Sequence, residues 1–294
     1  MIKNVAVFND LSGFGKCSLT AAIPVISVLG STPHPIATEV LTGQGGYPVF
    51  YSRDLTDMLP EYIKAWKANN ASFEAIYSGY LTGVKQIEYV FEFIQEFKKK
   101  DTFILIDPIM GDNGKVYRIF SNELLNQMRE LTREAHLITP NLTEACLLAG
   151  VDYNEIVTIK DSTELIERVK NIGHNIRNTA KVKQDVIITG IKHKQEDRAF
   201  IYNVAITEQG CEYYRSHLFE RSFSGTGDLF ASAMCGLKLA GHSTIEGMNI
   251  ASDFLYHSIA DTMNSNTLGN DGVEFETHLT ELLRGVGKDE RRNK

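Results

Sequence analysis

Residues Glu74 to Asp107 read EAIYSGYLTGVKQIEYVFEFIQEFKKKDTFILID. Two short β-rich runs, Glu74 to Tyr77 and Thr102 to Asp107, flank a stretch in which Ile87, Val90, Phe91 and Ile94 recur at helical spacing. Lys98 to Lys100 supply positive charge at the C-terminal end of that stretch, where the helix dipole favours it. Strand, helix, strand in this order is the repeating unit of a parallel sheet covered by helices.

The same alternation extends in both directions. Further strands are predicted at Lys3 to Phe8, His34 to Thr38, His136 to Ile138 and Asp185 to Thr189. Helices are predicted at Cys17 to Leu29, Leu55 to Lys67, Asn122 to Arg133 and Thr163 to Ile176. The fold class is therefore α/β, a three-layer αβα arrangement with a mostly parallel central sheet. After Thr189 the pattern changes: Arg198 to Ile206 and Cys211 to His217 are joined by a polar turn around Gly210, which predicts an antiparallel hairpin appended to the sheet. Two helices follow, Asp228 to Ala240 and Thr244 to Met263. Residues 1–284 are expected to form a single domain, and the charged tail 285–294 to be mobile.

Composition narrows the function classes. Of the 294 residues, 43% are hydrophobic and 23% charged, as in ordinary folded proteins with a full core. The formal charge of -7 argues against a broad nucleic-acid surface, which needs clustered Lys and Arg. No leader pattern precedes Val5, and the longest apolar stretch, Ala21 to Leu29, is broken by Pro24 and Ser27 and falls short of the ~20 residues a span requires. A cytoplasmic protein without membrane partners is expected. Cys17, Cys146, Cys211 and Cys235 form no C-x-x-C pair, so neither a zinc site nor a disulfide framework is predicted.

Four segments at predicted strand ends carry candidate chemistry. Ser12-Gly13-Phe14-Gly15-Lys16-Cys17-Ser18 is not a P-loop, because Asp10 and Cys17 stand where Gly and Ser or Thr are needed. A dinucleotide fingerprint fails at Ser18. What remains is a tight strand-to-helix turn carrying Asp10 and Ser12, at the edge where open α/β sheets bind ligands, or a turn that only satisfies geometry. Ser224-Gly225-Thr226-Gly227-Asp228 precedes an apolar helical pattern. There glycines let backbone N–H groups converge on an anion, and an aspartate inside such a site can take a proton from a substrate hydroxyl; Asp228 as a plain helix-start residue is the alternative. Asp107-Pro108-Ile109-Met110-Gly111-Asp112 ends a strand in two carboxylates, suited to a hydrated Mg²⁺ or simply to a surface turn. In Thr139-Pro140-Asn141-Leu142-Thr143-Glu144, Asn141 and Glu144 form a capping box whose position also permits a nucleotide or metal role.

Together with Asn9 to Gly15 and Ser78-Gly79-Tyr80-Leu81, these segments resemble the ribokinase superfamily over nearly the whole chain, and within it the pyridoxal (vitamin B6) kinases. The resemblance implies a ribokinase-like fold and ATP-dependent phosphorylation of the 5′-hydroxymethyl group of pyridoxal, pyridoxine or pyridoxamine. It implies Asp228 as catalytic base, with Gly225, Thr226 and Gly227 as the anion hole. It further implies Asp107, Asp112, Tyr117, Thr139, Asn141, Glu144 and Thr189 around ATP, with Asp107 and Glu144 toward Mg²⁺. Tyr80 would pack on the pyridine ring, and Asp10, Ser12, Thr42 and Gln44 would form the polar side of that pocket. A homodimer is implied, and a monovalent cation such as K⁺ is left open.

The sequence departs from the better-known bacterial branch, which carries Ser-His where this chain has Asp10-Leu11. Gln44 is also familiar in hydroxymethylpyrimidine kinases, whose anion-hole motif usually ends in Cys rather than Asp228. A hydroxymethylpyrimidine (phosphate) kinase, a ribokinase-type sugar kinase and a noncatalytic ligand-binding protein on the same fold stay open as rivals. The sugar kinase lacks support in the first 100 residues, where no lid insertion is evident.

Overall fold

The computed structural model describes residues 2–285, so the tail expected to be mobile lies, from residue 286 on, outside the described residues. In chain order the elements begin with β1 (Lys3–Ser12), α1 (Ser18–Val28), β2 (Ser31–Leu41), β3 (Ser52–Asp54) and α2 (Leu59–Ala68). There follow β4 (Ala75–Ser78), α3 (Val84–Phe97), β5 (Phe103–Ile106), β6 (Gly111–Asp112), β7 (Lys115–Val116) and α4 (Asn122–Thr132). Next come β8 (Leu137–Ile138), α5 (Leu142–Ala149), α6 (Tyr153–Val157), α7 (Ser162–Asn178) and β9 (Asp185–Gln195). The order closes with β10 (Arg198–Ile206), β11 (Cys211–His217), α8 (Thr226–Leu239) and α9 (Thr244–Met263). Short 3₁₀ turns occupy Thr56–Met58, Gly269–Asp271 and Glu276–Gly285.

Nine strands form one sheet in the order β11-β10-β9-β8-β5-β4-β1-β2-β3. The central pairings are parallel, as the strand–helix alternation requires. From β1 the chain moves outward to β2 and then returns past β1 to β4, so the strand order reverses between β1 and β4. Ligand crevices in open α/β sheets form at such a switch point, beyond the carboxyl ends of the strands.

Alternating strand residues feed two cores. Ala6, Phe8, Ile76, Ile104 and Ile106 face a layer containing α2, α3, α4, α5 and α7. Val5, Val7, Ala75, Tyr77 and Leu105 face α1, α8 and α9. This period of two along strands apolar on both faces is what a sheet covered on both sides demands. On the second face α1 and α8 pack closely: a Cβ at Gly236 would stand 2.5 Å from Leu29 Cδ1. Gly236→Val should destabilise the protein by about 1–3 kcal/mol, and adding Leu29→Ala should recover part of the loss in urea unfolding midpoints.

Three expectations are refined. The helix predicted from Leu55 begins at Leu59 after a 3₁₀ turn, with a proline, Pro60, in its opening positions, where the missing N–H is not needed. The hairpin of β10 and β11 is not merely appended, because β10 also pairs antiparallel with an extended β9, making a meander of three strands. At the opposite edge a three-residue strand, β3, pairs antiparallel with β2; it is too short to produce a periodic signal. No described helix is long and apolar enough to cross a membrane.

Candidate active site

The glycine segment before α8 packs against the loop after β1. Gly225 has φ of 82° and caps the helix, and a Cβ on it would lie 2.0 Å from the Lys16 carbonyl oxygen and 3.0 Å from Cys17 Cα. Only glycine fits both the left-handed backbone and the close approach. The first bond of the helix runs from the Leu229 N–H to the Gly225 carbonyl. The N–H groups of Thr226, Gly227 and Asp228 therefore have no helical partner, as at any helix start. A Cβ at Gly227 would meet nothing within 4 Å, so this side of the turn is open.

Asp228 lies behind that opening and is only 9% exposed. Asn9 Nδ2 donates to its Oδ1 at 3.0 Å, and the backbone of Ser18 also favours its charged form. Ser18 holds φ of 51°, a left-handed value for a non-glycine residue. Burial pushes the Asp228 carboxyl up to about 6; the Ser18 backbone lowers it, the nearby Asp10 charge raises it, and Asn9 lowers it. A carboxyl near 6 is a base matched to neutral pH.

Asp10 is buried near the carboxyl end of β1, and its oxygens accept hydrogen bonds from Ser12 Oγ at 2.9 Å and Ser18 Oγ at 2.5 Å. Burial raises its pKa and the two hydroxyls oppose the rise. Tyr80 follows β4 across the switch point. Its carbonyl accepts from Thr38 Oγ1 at 3.0 Å, and burial, followed by the Glu39, Asp10 and Asp54 charges, lifts its phenol to about 12. Asp10, Ser12, Tyr80 and Asp228 thus lie together where the carboxyl ends of β1 and β4 meet the start of α8, tied through Asn9 and Ser12.

Thr42 and Gln44 lie on the loop beyond β2 but have structural partners. Thr42 Oγ1 accepts from the Tyr51 N–H at 3.0 Å. Gln44 Nε2 donates to the Asn270 carbonyl at 3.2 Å, and its Oε1 accepts from the Gly46 N–H at 2.7 Å. Tyr47 completes a clasp between this loop and residues 269–271 by donating to Asp271 Oδ1 at 2.5 Å.

A second group of the predicted residues lies beyond β5 and β8. Asp107 is 5% exposed and accepts from Thr139 Oγ1 at 3.1 Å. Glu144 is 3% exposed; its Oε1 accepts from the Met110 N–H at 3.0 Å and its Oε2 from the Asn141 N–H at 2.8 Å. Asn141 returns the capping-box bond by accepting from the Glu144 N–H at 3.0 Å, and donates to the Gly111 carbonyl at 2.8 Å. Thr189 bridges to Asn141 at the end of the same row. Asp112 differs: it is exposed on the β6–β7 hairpin, and Asn113 donates to both of its oxygens. Tyr117 follows that hairpin, and burial, then Glu144, Asp112, Asp107 and Asp228, raise its phenol to about 12. The carboxylate pressing on Glu144 is accordingly Asp107, and the pair comes from two different strand ends.

Burial and the Asp228 charge raise Asp107, and burial followed by the Asp107 charge raises Glu144. None of the ion pairs among the described residues includes Asp107, Glu144 or Asp228. Nor do the described residues contain a group of three metal-ligating side chains. Two buried carboxylates without a protein counter-charge fit a hydrated Mg²⁺, which takes few protein ligands.

Folded-state pKa values raised above the unfolded ones mean that the native state holds extra protons. Stability from these groups is therefore greatest below the ordinary carboxyl range near 4 and declines as pH rises through the raised values, near 6 for Asp228. Burial opposes protonation of His278, but Glu281 and Asp261 outweigh it and raise its pKa, which adds a decline of the same sign. The melting temperature without ligands should fall between pH 5 and pH 8, and Asp228→Asn should flatten the fall.

Comparison with known proteins fixes the family. The sequence pattern of the phosphomethylpyrimidine kinase family matches residues 51–272. This chain belongs to that family. Among solved structures similar to this phosphomethylpyrimidine kinase family member is one from Bacteroides thetaiotaomicron, designated a phosphomethylpyrimidine kinase and crystallised in an orthorhombic form with pyridoxal. It is 34% identical, with a TM-score of 0.86 and coverage of 96% of both chains. Pyridoxal kinase from Lactobacillus plantarum is 25% identical with a TM-score of 0.84, covering 97% of this chain and 98% of that one. The pyridoxine/pyridoxal/pyridoxamine kinase of Bordetella avium is 24% identical over 256 residues, 85% of this chain and 82% of the relative. The protein is thus a kinase of the pyridoxal kinase and phosphomethylpyrimidine kinase group, with the ribokinase-like fold.

Beside these carboxylates stand residues to which the sequence pattern assigns no role: Asn9, Ser18 and the hairpin bearing Asp112. The hairpin had a signal. Asn113-Gly114, with φ of 49° and 75°, is the dipeptide that two-residue type I′ turns favour.

Proposed function

We propose that this protein transfers the γ-phosphoryl group of ATP to the 5′-hydroxymethyl group of a vitamin B6 vitamer. The observation that carries the reading is Asp228, a buried carboxyl at the glycine-lined start of α8, joined through Asn9 to the backbone of Asp10 and Tyr80. The substrate hydroxyl gives its proton to Asp228 as its oxygen bonds to the γ-phosphorus, and the bond from that phosphorus to the β,γ-bridging oxygen breaks to release ADP. Backbone N–H groups of Thr226, Gly227 and Asp228 face the transferring group and stabilise its equatorial charge. Asp107 and Glu144, through water, would hold Mg²⁺, whose charge would offset that of the phosphates. Thr139, Asn141, Thr189, Tyr117 and Asp112 border the nucleotide side.

On the substrate side Tyr80 offers an aromatic face to a flat heterocycle, and Asp10 offers a carboxylate to a protonated ring nitrogen. Ser12, Thr42 and Gln44 line the same end, the last two mainly by holding the loop in place. The family match favours a second substrate, the hydroxymethylpyrimidine ring, which carries the same hydroxymethyl group. A coupled ADP-release assay with pyridoxal, pyridoxine, pyridoxamine and hydroxymethylpyrimidine separates the two. Higher kcat/KM for a B6 vitamer supports the proposal; preference for hydroxymethylpyrimidine keeps the chemistry and replaces the substrate; no turnover of any of the four removes both.

A further inference from the structure

Asn9 is fully buried near the carboxyl end of β1, and its amide joins three parts of the site. Its Oδ1 accepts from the Asp10 N–H at 3.1 Å and from the Tyr80 N–H at 3.0 Å, and its Nδ2 donates to Asp228 Oδ1 at 3.0 Å. These partners settle which way the amide points. Two backbone donors require the carbonyl oxygen on their side, so the amino group must face Asp228. Gly79 makes room for this arrangement: a Cβ there would stand 2.5 Å from Asn9 Nδ2.

The groups that influence Asp228 otherwise offer it little help. Asp10 bears on it electrostatically, Asp107, Cys17, Tyr77 and Tyr117 feel its charge, and none of the five is a cation. Among the described residues Asn9 is the one side chain that donates to this carboxylate. A buried carboxylate without donors protonates or changes rotamer.

We infer that Asn9 is a positioning residue that keeps Asp228 ionised and aimed at the substrate hydroxyl, while tying it to the Tyr80 side of the pocket. The inference rests on the reading of Asp228 as the base. Through one rigid amide, the base and the backbone that presents Tyr80 share an anchor.

Asn9→Asp is the informative variant, because its carboxylate still accepts from both N–H groups but replaces the donor to Asp228 by a second negative charge. Asn9→Ser is the neutral control, too short to reach. Steady-state kcat and KM would be measured from pH 5.5 to pH 9 with pyridoxal, or with hydroxymethylpyrimidine if that is the better substrate. In Asn9→Asp the acidic limb of kcat should move up by about one pH unit, so that kcat at pH 6.5 falls about tenfold and recovers toward pH 9. KM for ATP should stay unchanged. Asn9→Ser should shift the limb in the same direction by less, and decides the matter if Asn9→Asp does not fold. Limbs left at the wild-type position, or an equal loss of kcat at every pH, would overturn the inference and leave Asn9 a packing residue. Failure of the underlying reading is distinct: Asp228→Asn would then turn over at a near-normal rate, which removes the base and this proposal with it.

Discussion

Asp228→Asn should lower kcat by ~10² to ~10⁴, the usual range for losing a general base, while KM for ATP changes little because in the proposed reaction the residue accepts a substrate proton rather than binding the nucleotide. The same substitution should stabilise the folded protein. A carboxyl raised from 3.8 to about 6 costs about 3 kcal/mol at neutral pH, and the amide removes that cost if it keeps the partners of Asp228. A rise of several degrees in melting temperature alongside the loss of turnover would identify Asp228 as a residue retained for chemistry against stability. Lower activity with lower stability would instead describe a structural aspartate.

Gly225 and Gly227 should respond in opposite ways although they are two residues apart. Gly225→Ala forces a side chain into a left-handed backbone and into the Lys16 carbonyl. Strain of about 1–3 kcal/mol and a comparable overpacking penalty should add to a loss of about 2–6 kcal/mol in denaturant unfolding. Gly227 has no such neighbours, so Gly227→Val should unfold at or slightly above the wild-type midpoint, since valine is the better helix former. Its activity should nevertheless fall at least ~10²-fold, comparable to removing an oxyanion donor, because the valine enters the space where the phosphoryl group must approach the N–H groups. Full activity in a folded Gly227→Val protein would remove the anion hole from the account.

Much of the fold is legible because its signals are local and repeated. Val84–Phe97 shows its apolar stripe in sequence, and β10 and β11 have the boundaries read from their patterning. The residues singled out at strand ends also meet in space, since strand ends in a parallel sheet share one edge. What was not legible depends on contacts between distant segments. Nothing in the sequence around Asn9 marks its role, because two of the groups it holds lie 71 and 219 residues away. Gln44 looks like a ligand contact in sequence, whereas its amide is engaged by Gly46 and by Asn270, 226 residues on. The Glu144 capping box was visible as a helix start, but the Asp107 charge beside it comes from another strand.

The central claim is transfer of phosphoryl to a hydroxymethyl group with Asp228 as base, and the most direct measurement is of the product itself. Pyridoxal and Mg-ATP would be incubated with the wild-type protein and with Asp228→Asn, and the phosphorylated product identified by mass and ³¹P NMR. The account predicts the 5′-phosphate ester in amounts equal to ADP with the wild type and almost none with the variant. ADP released without the ester, or equal ester formation by both proteins, would contradict it.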